Sequence, residues 1–405
     1  MADPRKPPTP SDASPFADRV VGYCTNVHPG ATLDQMRRHL ERHAVEVHRR
    51  LGLAGPLPIG LWLSAQAVSQ FIADGEFQRF RQWLDERALS VFTINGFPYH
   101  DFHEKVVKHR VYEPNWADRE RDRFTLDLMA LLASLTSRSA EGSISTLPLG
   151  WKPAMDDRSV ITAARRIRRV ADALAETTLR TGRRMHLDLE PEPGCRLETC
   201  DDVIRFFEQH LLRPQYDAAP NLEHVRICHD ICHAAVMFED QAEVFRRYDS
   251  AGIRVGKVQV SNAIRVDFDA LSPPERPEAL RELKAFEEDR YLHQTCIRDN
   301  VSGTITFHED LPLATRAAEE KGEPTGEWRI HFHVPISLES FGRLGTTRDF
   351  IDECLGIMAP RNDVKHFEVE TYAWNVLPPE LRKEDLAEGI AEELIWLRDR
   401  MARTT

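Results

Sequence analysis

The stretch MHLDLEPEPG, residues 185–194, decides the fold of this chain. His186, Asp188 and Glu190 alternate with two leucines, so a side-chain period of two places the ionisable residues on one face of a strand and the leucines on the other. Prolines end the strand directly after Glu190. A buried carboxylate is costly unless a cation or a hydrogen-bond donor compensates it, which predicts a metal ion or a polar substrate at this strand end.

Four later stretches repeat this pattern of a short strand with polar residues at its C-terminal end. They are 225–230 with Asp230, 257–261 with Gln259 and Ser261, 329–333 with His331 and His333, and 366–370 with Glu368 and Glu370. Stretches with helical spacing lie between most of them. This alternation is typical of a parallel sheet closed into a barrel, in which functional groups gather on the loops at the C-terminal face.

The first half of the chain continues the alternation, with strands predicted over 20–27, 89–98 and 143–150. Residues 59–64 form a further strand or a hairpin arm, which we treat as accessory. Eight strand ends are then marked by Tyr23, Asn95, Leu147, Glu190, Asp230, Gln259, His333 and Glu370. The sequence therefore predicts an α/β protein with a (β/α)8 TIM barrel.

Residues 268–328 are too long for one crossover between barrel strands. We expect an insertion between strands six and seven, near the C-terminal mouth of the barrel, whose residues Tyr291, His293 and Arg298 contact substrate. The alternative is an extra hairpin that braces the outside of the barrel. Residues 1–16 hold too little apolar content to fold, so we expect a disordered tail before a single domain over 17–405.

Composition narrows the class of protein. The chain has 405 residues and a hydrophobic content of 41%, enough for a sizeable core. Its net charge of −12 argues against a nucleic-acid partner, since duplex binding depends on a basic surface. The seven cysteines are scattered, which favours a reducing compartment, and no apolar run approaches the roughly 20 residues that cross a bilayer. These features predict a cytoplasmic protein without a membrane span.

The strand ends also predict a metal site. Glu190, Asp230, Gln259 and Glu370 would form a mostly oxygen-based ligand set, and His233 follows Asp230 by three residues at the start of a helix. Carboxylate and amide oxygens suit Mg²⁺ and Mn²⁺, whereas imidazole shifts the preference toward Mn, Co or Zn. We therefore expect a divalent ion of one of these four metals. The alternative is a hydrogen-bonded polar plug at the barrel mouth without an ion.

Further polar side chains near the predicted mouth are candidate substrate contacts. They are Asn95, Tyr291, His293, Arg298, His331 and His333. Of the two histidines on one strand, His331 lies deeper and is expected to orient a neighbouring side chain.

Six short motifs resemble one family. They are Asn95-Gly-Phe-Pro-Tyr99, Val111-Tyr-Glu-Pro-Asn-Trp116, Ser145-Thr-Leu-Pro-Leu-Gly150, Tyr291-Leu-His-Gln294, His331-Phe-His-Val-Pro335 and Glu368-Val-Glu-Thr-Tyr-Ala-Trp374. They are similar to the EboE "metabolite traffic" family, over about Gly22 to Trp396. The strand-end glutamates with Asp-x-x-His resemble, more broadly, the xylose-isomerase-like TIM barrels, which include sugar isomerases, keto-sugar epimerases and endonuclease IV.

The resemblance implies roles for individual residues. It implies Glu190, Asp230 and Glu370 as metal ligands and His233 as a ligand or a substrate contact. The two glutamates would act as acid and base on either side of a sugar carbon. Gln259 stands where the epimerases usually have histidine, which bears on the identity of the metal. Members of the EboE family are implicated in moving or processing secondary-metabolite precursors, which implies partner proteins of the same pathway.

Three functions follow from these observations. The first is a metal-dependent isomerase or epimerase acting on a small polyhydroxylated or carbonyl-containing substrate. The second is a catalytically quiet protein that binds a metabolite for hand-off. The third is a phosphodiesterase of the endonuclease IV type, which needs histidines on early strands. The matching positions hold Asn95 and the Leu147-Pro148 turn instead, which disfavours the third function.

Overall fold

The computed structural model describes residues 15–136, 140–213, 216 and 218–404. The expected N-terminal tail lies outside these residues except for Pro15 and Phe16. Phe16 is buried, and its ring packs edge-on against Phe367 with centroids 5.7 Å apart. Phe16 therefore belongs to the core, because its ring covers a barrel strand, and the tail predicted over 1–16 is wrong at this residue.

Eight parallel strands close into the predicted barrel. Seven come first in the chain: β1 (Val20–Cys24), β2 (Leu57–Trp62), β3 (Leu89–Asn95), β4 (Gly142–Thr146), β5 (Met185–Leu189), β6 (Val225–Asp230) and β7 (Val255–Val260). The eighth, β14 (His366–Val369), pairs with both β7 and β1 and closes the barrel.

A second sheet of six antiparallel strands follows β7. Its members are β8 (Ile264–Asp267), β9 (Thr295–Arg298), β10 (Ile305–His308), β11 (Glu327–Ile330), β12 (Ser340–Phe341) and β13 (Leu344–Thr346), in the order β10-β9-β11-β8-β13-β12. The inserted segment thus spans 264–346 and lies between barrel strands seven and eight, not six and seven as predicted. It is a folded sheet with its own strand pairing.

The strand assignment at two places was wrong. Leu57–Trp62, treated as accessory, is barrel strand β2, whereas 329–333 contains the end of β11 in the second sheet. Residues 57–62 form a continuous apolar run and residues 329–333 alternate polar and apolar side chains, and both patterns suit a barrel strand, so the pairing partners decide which stretch belongs to the barrel. Most of β2 is buried, as expected for a strand covered on both faces in a parallel barrel.

Helices connect the strands. The α-helices are α1 (Leu33–His39), α2 (Val45–Leu51), α3 (Ala65–Asp74), α4 (Phe77–Asp85), α5 (Arg119–Leu135), α6 (Asp157–Thr181), α7 (Cys200–Phe206), α8 (Ala218–His224), α9 (Ile231–Val236), α10 (Gln241–Ser250), α11 (Arg276–Lys284), α12 (Leu311–Lys321), α13 (Arg348–Met358) and α14 (Leu386–Arg403). π-helical turns follow α1 (Leu40–Ala44) and α7 (Phe207–Leu211). Among the described residues, none of the helices is both long and apolar enough to cross a membrane.

The barrel interior is polar, and one close contact depends on glycine. Gly60 of β2 faces the fully buried Glu368 of β14, and a Cβ atom at Gly60 would lie 1.3 Å from Glu368 Oε1. Any larger residue must displace this carboxylate from its hydrogen bonds with Lys257 and Asn95. Glycine at this position therefore allows a charged side chain to cross the barrel interior.

Gly60→Ala should destabilise the protein by about 1–3 kcal/mol or more, because the added methyl group overpacks the interior at a fixed carboxylate. Urea denaturation followed by circular dichroism measures the change. Gly55→Ala is the matched control, since a Cβ there meets no atom within 4 Å. Equal stability of the two variants would contradict the placement of β2 in the barrel.

Candidate metal centre and catalytic cleft

A cleft of about 600 Å³ opens at the C-terminal mouth of the barrel. Its polar residues are Asn26, Asn95, Lys108, Glu190, Glu192, His233, His331, His333 and Glu370. Its apolar and aromatic residues are Phe97, Pro98, Phe102, Val107, Val111, Tyr112, Tyr291, Leu292 and Tyr372. The barrel strands supply the carboxylates, and the inserted segment supplies two of the imidazoles.

Three carboxylates from different strand ends meet at this mouth. Glu190, Asp230 and Glu370 each offer an oxygen within 4.8 Å of the other two, and all three are buried. Asp230 Oδ1 accepts hydrogen bonds from the His233 backbone N–H at 2.8 Å and from the Ser261 hydroxyl at 2.7 Å. Asp230 Oδ2 has no hydrogen-bond partner among the described residues, so it remains available to a ligand.

Burial and mutual repulsion oppose the ionisation of Glu190 and Glu370. Burial, followed by the charges of Asp230 and Glu368, raises the pKa of Glu370 to about 8. Burial and the charge of Glu370 raise the pKa of Glu190 well above its usual range. Asn26 Nδ2 donates to Glu370 Oε1 at 2.7 Å, which offsets only part of this cost. A divalent cation would favour the charged form of both glutamates.

Three imidazoles that line the cleft are anchored in the same way, each through its Nδ1 atom. The Nδ1 atoms of His233, His331 and His333 lie 2.8 Å from the Pro191 carbonyl, Gln294 Oε1 and the Glu370 carbonyl, respectively. A carbonyl oxygen only accepts, so each Nδ1 carries a proton and donates it. Each Nε2 therefore keeps a lone pair, and such anchoring is usual for metal-binding histidines.

The residues present fit a divalent ion. Asp230 Oδ2, Gln259 Oε1 and His333 Nε2 are buried acceptors without a hydrogen-bond partner among the described residues. Each buried polar atom without a partner lowers the stability of the fold by about 1–3 kcal/mol. A cation could bind all three of these oxygen and nitrogen atoms as ligands. Carboxylate, amide and imidazole donors together suit Mn, Co or Zn, and the carboxylates alone suit Mg.

Gln259 lies below the cleft rather than in its wall. Its side chain is fully buried, and its Nε2 donates to Asn95 Oδ1 at 3.2 Å. Asn95 lines the cleft as predicted and donates from Nδ2 to Glu368 Oε1 at 3.0 Å. The amide of Gln259 therefore supports the floor of the site through Asn95.

The predicted substrate contacts from the insertion divide into two groups. Tyr291 lines the cleft, whereas neither His293 nor Arg298 is among the described residues that line it. His293 is fully buried, its Nδ1 lies 3.1 Å from the His331 carbonyl, and its Nε2 lies 2.9 Å from Glu288 Oε1. The expectation of a cleft contact from His293 is therefore corrected, because its ring is used to position the backbone of His331.

Arg298 requires the same correction. Its guanidinium pairs with Glu327 and lies 4.6 Å from the ring centroid of Phe238. The prediction rested on the length of the segment and on its start after the strand that carries Gln259, which locate its root but not each of its side chains. The antiparallel pairing of β9 with β11 instead holds Arg298 beside Glu327, within the second sheet.

Sequence reasoning missed Glu192 as part of the cleft. Its Oε1 accepts from the Tyr112 hydroxyl at 2.7 Å and from Gln294 Nε2 at 3.0 Å. One feature of the sequence pointed to Glu192. It follows Glu190 by two residues, so it continues the alternation of the strand, although Pro191 lies between them. Its partners Tyr112 and Gln294 come from distant parts of the chain, so the sequence around Glu192 could not predict these hydrogen bonds.

A buried ion pair below the cleft was also missed. Lys257 Nζ donates to Glu368 Oε2 at 2.7 Å, to Ser145 Oγ at 3.1 Å and to Asn95 Oδ1 at 3.2 Å. Both charged side chains are fully buried. Burial opposes the charge of the Lys257 ammonium, but Glu368, Cys228 and Glu190 together outweigh burial and raise the lysine pKa. The signal was that Lys257 shares the inward face of β7 with Gln259.

The comparisons with known proteins concern the fold. A xylose isomerase-like TIM barrel protein from Mycobacterium smegmatis in complex with magnesium matches 97% of this chain and 99% of its own, with a TM-score of 0.50 and 12% sequence identity. The chain has the xylose-isomerase-like TIM-barrel fold. No family model and no curated protein sequence matches it.

Two more solved structures are similar to this fold at 12% identity each. One is the probable 3-DHS dehydratase AsbF involved in petrobactin synthesis from Bacillus anthracis, covering 93% of this chain and 98% of its own with a TM-score of 0.48. The other is the IOLI protein with a binding zinc atom. The match covers 95% of this chain and 99% of the IOLI chain, with a TM-score of 0.46.

Lys257→Met should cost about 3–5 kcal/mol of stability, because it leaves Glu368 buried without its counterion. The double variant Lys257→Met/Glu368→Gln should recover a large part of that loss, since no unpaired charge remains. Urea denaturation of the single and double variants measures the coupling. Lys383→Met, which breaks a partly exposed pair, is the control; a similar loss there would contradict the role of the buried pair.

The stability of the metal-free protein should fall as pH rises from about 5 to about 8. Native Glu370 keeps its proton up to about pH 8, while the unfolded chain loses it near its ordinary value of 4.5. The native state thus binds more protons in this window, and unfolding becomes easier with pH. Glu370→Gln should flatten this dependence in urea titrations with chelator present. An unchanged slope would contradict the raised pKa, and Glu388→Gln on the surface is the control.

Proposed function

We propose that this protein catalyses metal-assisted isomerisation or epimerisation of a small polyhydroxylated or carbonyl-containing substrate. The observation that carries this proposal is the meeting of Glu190, Asp230 and Glu370 within 4.8 Å at the barrel mouth. Three buried carboxylates in one place need a compensating cation, and two of them have raised pKa values, as proton-transfer groups often do.

Glu190, Asp230 and Glu370 hold the ion in this proposal. Gln259 adds an amide oxygen from below, and His233 acts as a ligand or a contact to substrate oxygen. A bound Mn, Mg, Co or Zn ion would polarise the substrate oxygens and acidify the neighbouring C–H bond. The geometry of the carboxylates supports this assignment, and the three unsatisfied donor atoms support it further.

Glu190 and Glu370 also exchange the proton. One glutamate removes a proton from the carbon next to a carbonyl, and the other returns it, as general base and general acid. The raised pKa of about 8 for Glu370 suits it to hold a proton near neutral pH. Asn26, which donates to Glu370 Oε1 at 2.7 Å, keeps that carboxyl in position.

Asn95, Tyr291, His331 and His333 are the substrate contacts that the cleft supports. The cleft is lined by apolar and aromatic side chains together with a few convergent polar groups, as small-molecule sites usually are. Carboxylates and imidazoles line the cleft together with aromatic side chains, so in this proposal the oxygen-bearing end of the substrate faces the carboxylates. His293 and Arg298 have no part in this proposal.

The resemblance of the six sequence motifs to the EboE family supports a role in the processing or trafficking of a secondary-metabolite precursor. On this basis we infer a cytoplasmic protein that works with partner proteins of the same pathway. The net charge of −12 supports a small-molecule substrate over nucleic acid.

A catalytically quiet protein that holds the metabolite for hand-off is the second candidate. The observation that favours it is that Gln259 stands where the epimerases usually have histidine, since an amide oxygen is a weaker ligand than imidazole for Mn, Co or Zn. An ion that the protein holds only weakly would bind and orient a metabolite without acidifying its C–H bond. This candidate predicts ligand binding without any proton exchange.

Hydrogen exchange into substrate distinguishes the two candidates. The protein with added Mn²⁺ is incubated in D₂O with a panel of keto-sugars and cyclic hydroxyketones, and deuterium uptake at carbon is followed by NMR. Glu190→Gln and Glu370→Gln should each lower the exchange rate about 10²- to 10⁴-fold, the range for a lost acid or base. Glu309→Gln, on the exposed side of the inserted segment, is the control.

Binding of a panel member, seen as a thermal shift, without deuterium uptake would favour the hand-off protein. Exchange that persists in both glutamate variants would overturn the proposed acid and base.

A further inference from the structure

The inserted sheet has an open edge at β10. In the strand order β10-β9-β11-β8-β13-β12, β10 has a neighbour on one side only among the described strands. An uncovered edge presents backbone N–H and C=O groups with which another strand can pair. Edge strands in natural proteins commonly carry lysine, proline or a bulge, which prevents such pairing. β10 carries none of these, because its residues are Ile-Thr-Phe-His and its register against β9 is continuous.

The same strand exposes apolar side chains. Ile305 is 43% exposed and Phe307 is 39% exposed, and an alternation of two places both on one face of β10. Val301 and Leu313, on either side of β10 in the chain, are exposed as well. Nine large apolar side chains are exposed among the described residues, so this short stretch holds four of the nine. Exposed apolar side chains concentrated in one place mark an interaction site.

The hydrogen-bond ladder shows which backbone groups of β10 are free. The Asp299 N–H donates to the Thr304 carbonyl at 2.9 Å. Hydrogen-bonded and non-hydrogen-bonded pairs alternate in an antiparallel ladder, so Thr306 also points its backbone groups toward β9. Ile305 and Phe307 therefore direct their N–H and C=O groups away from β9. No described residue outside the sheet bonds to them.

We propose that β10 pairs antiparallel with β10 of a second copy of this chain, about a two-fold axis at Thr306. In this register Ile305 lies opposite Phe307 of the second copy, so the outward backbone groups of both strands meet. The pairing joins the two six-stranded sheets, and it closes after two copies because both use the same surface. This inference does not depend on the proposed function.

Charge supports a second copy as the occupant of the edge. The chain has a net charge of −12, so two copies repel each other unless they meet at an uncharged surface. β10 contains no aspartate, glutamate, lysine or arginine. In the proposed register the acidic Glu309 lies opposite Gly303 of the second copy, and Asp310 is already paired with Lys108 at 2.6 Å. No like charges therefore face each other across the axis.

The side chains of β10 support the same register. Ile305 and Phe307 of the two copies form a cluster of four apolar side chains on one face, and an aromatic residue opposite a β-branched one stabilises a strand pair. The Phe307 ring also packs against Trp151, with centroids 6.4 Å apart, and Trp151 stacks on Tyr112 of the cleft at 5.0 Å. The contact between the two copies therefore adjoins the rim of the cleft.

Sedimentation velocity of the full chain over a series of concentrations tests the proposal. Wild type should be a dimer. Ile305→Lys should weaken the dimer about 100-fold or more, because the axis brings two lysines into one contact. Ile161→Lys is the matched control, since Ile161 on α6 is 51% exposed and lies outside the inserted sheet. It should form the dimer as wild type does.

A disulfide tests the register directly. At the axis the two Thr306 residues form a non-hydrogen-bonded pair, with Cα atoms about 4.5 Å apart, within the range of roughly 4.4–6.8 Å that a disulfide spans. Thr306→Cys should therefore give a covalent dimer under mild oxidation. Thr304→Cys, on the same face and equally exposed, should not, because the two copies of that position lie about 13 Å apart along the strands. The seven native cysteines are all buried and do not compete.

A single chain in wild type at every concentration would overturn the second copy as the occupant. A dimer that Ile305→Lys leaves unchanged would place the contact elsewhere and overturn the proposal as well. Equal cross-linking of the two cysteine variants would overturn the register. Circular dichroism and the urea midpoint show whether Ile305→Lys folds; if it does not, the comparison of the two cysteine variants decides the proposal without it.

Discussion

Repulsion among buried carboxylates is the constraint on which the rest of this structure depends. Six of them lie in or at the mouth of one barrel: Asp188, Glu190, Glu192, Asp230, Glu368 and Glu370. Three have strong partners, since Glu368 pairs with Lys257 at 2.7 Å, Asp188 lies 2.5 Å from His186 Nδ1, and Glu192 accepts from Tyr112. The remaining three face one another, so their mutual repulsion is relieved only by protonation or by a cation.

The polar interior supports this mouth. Lys257 and Glu368 form its centre, and their hydrogen bonds to Asn95 and Ser145 tie four barrel strands together. Many TIM barrels fill this space with branched aliphatic side chains. Here the space carries a charge network, so the position of Asn95 at the cleft floor depends on an ion pair below it. Gly60 is part of the same arrangement, because it leaves room for the Glu368 carboxylate.

The segment after β7 forms a folded sheet and not the cover over the barrel mouth that its length suggested. A lid would cover the mouth and contact substrate from above. The observed segment contacts the site through His331 and His333, whose rings lie 5.1 Å apart, while His293 braces the backbone of His331. Its contribution is therefore to the polar floor and wall of the cleft as well as to the rim, where Tyr291 packs against Tyr372 with centroids 5.1 Å apart.

The sequence by itself determined the barrel and most of its mouth, because strand periodicity and polar strand ends are local features. These local features predicted that Glu190, Asp230 and Glu370 lie at strand ends at the barrel mouth. It did not determine which apolar stretches pair, so β2 and β11 exchanged places in the prediction. Partners such as Tyr112 for Glu192 were hidden too, since hydrogen bonds across 80 residues leave no local pattern. Only the tertiary structure decided where His333 and Lys257 lie, because closing the barrel and folding the second sheet bring distant side chains together.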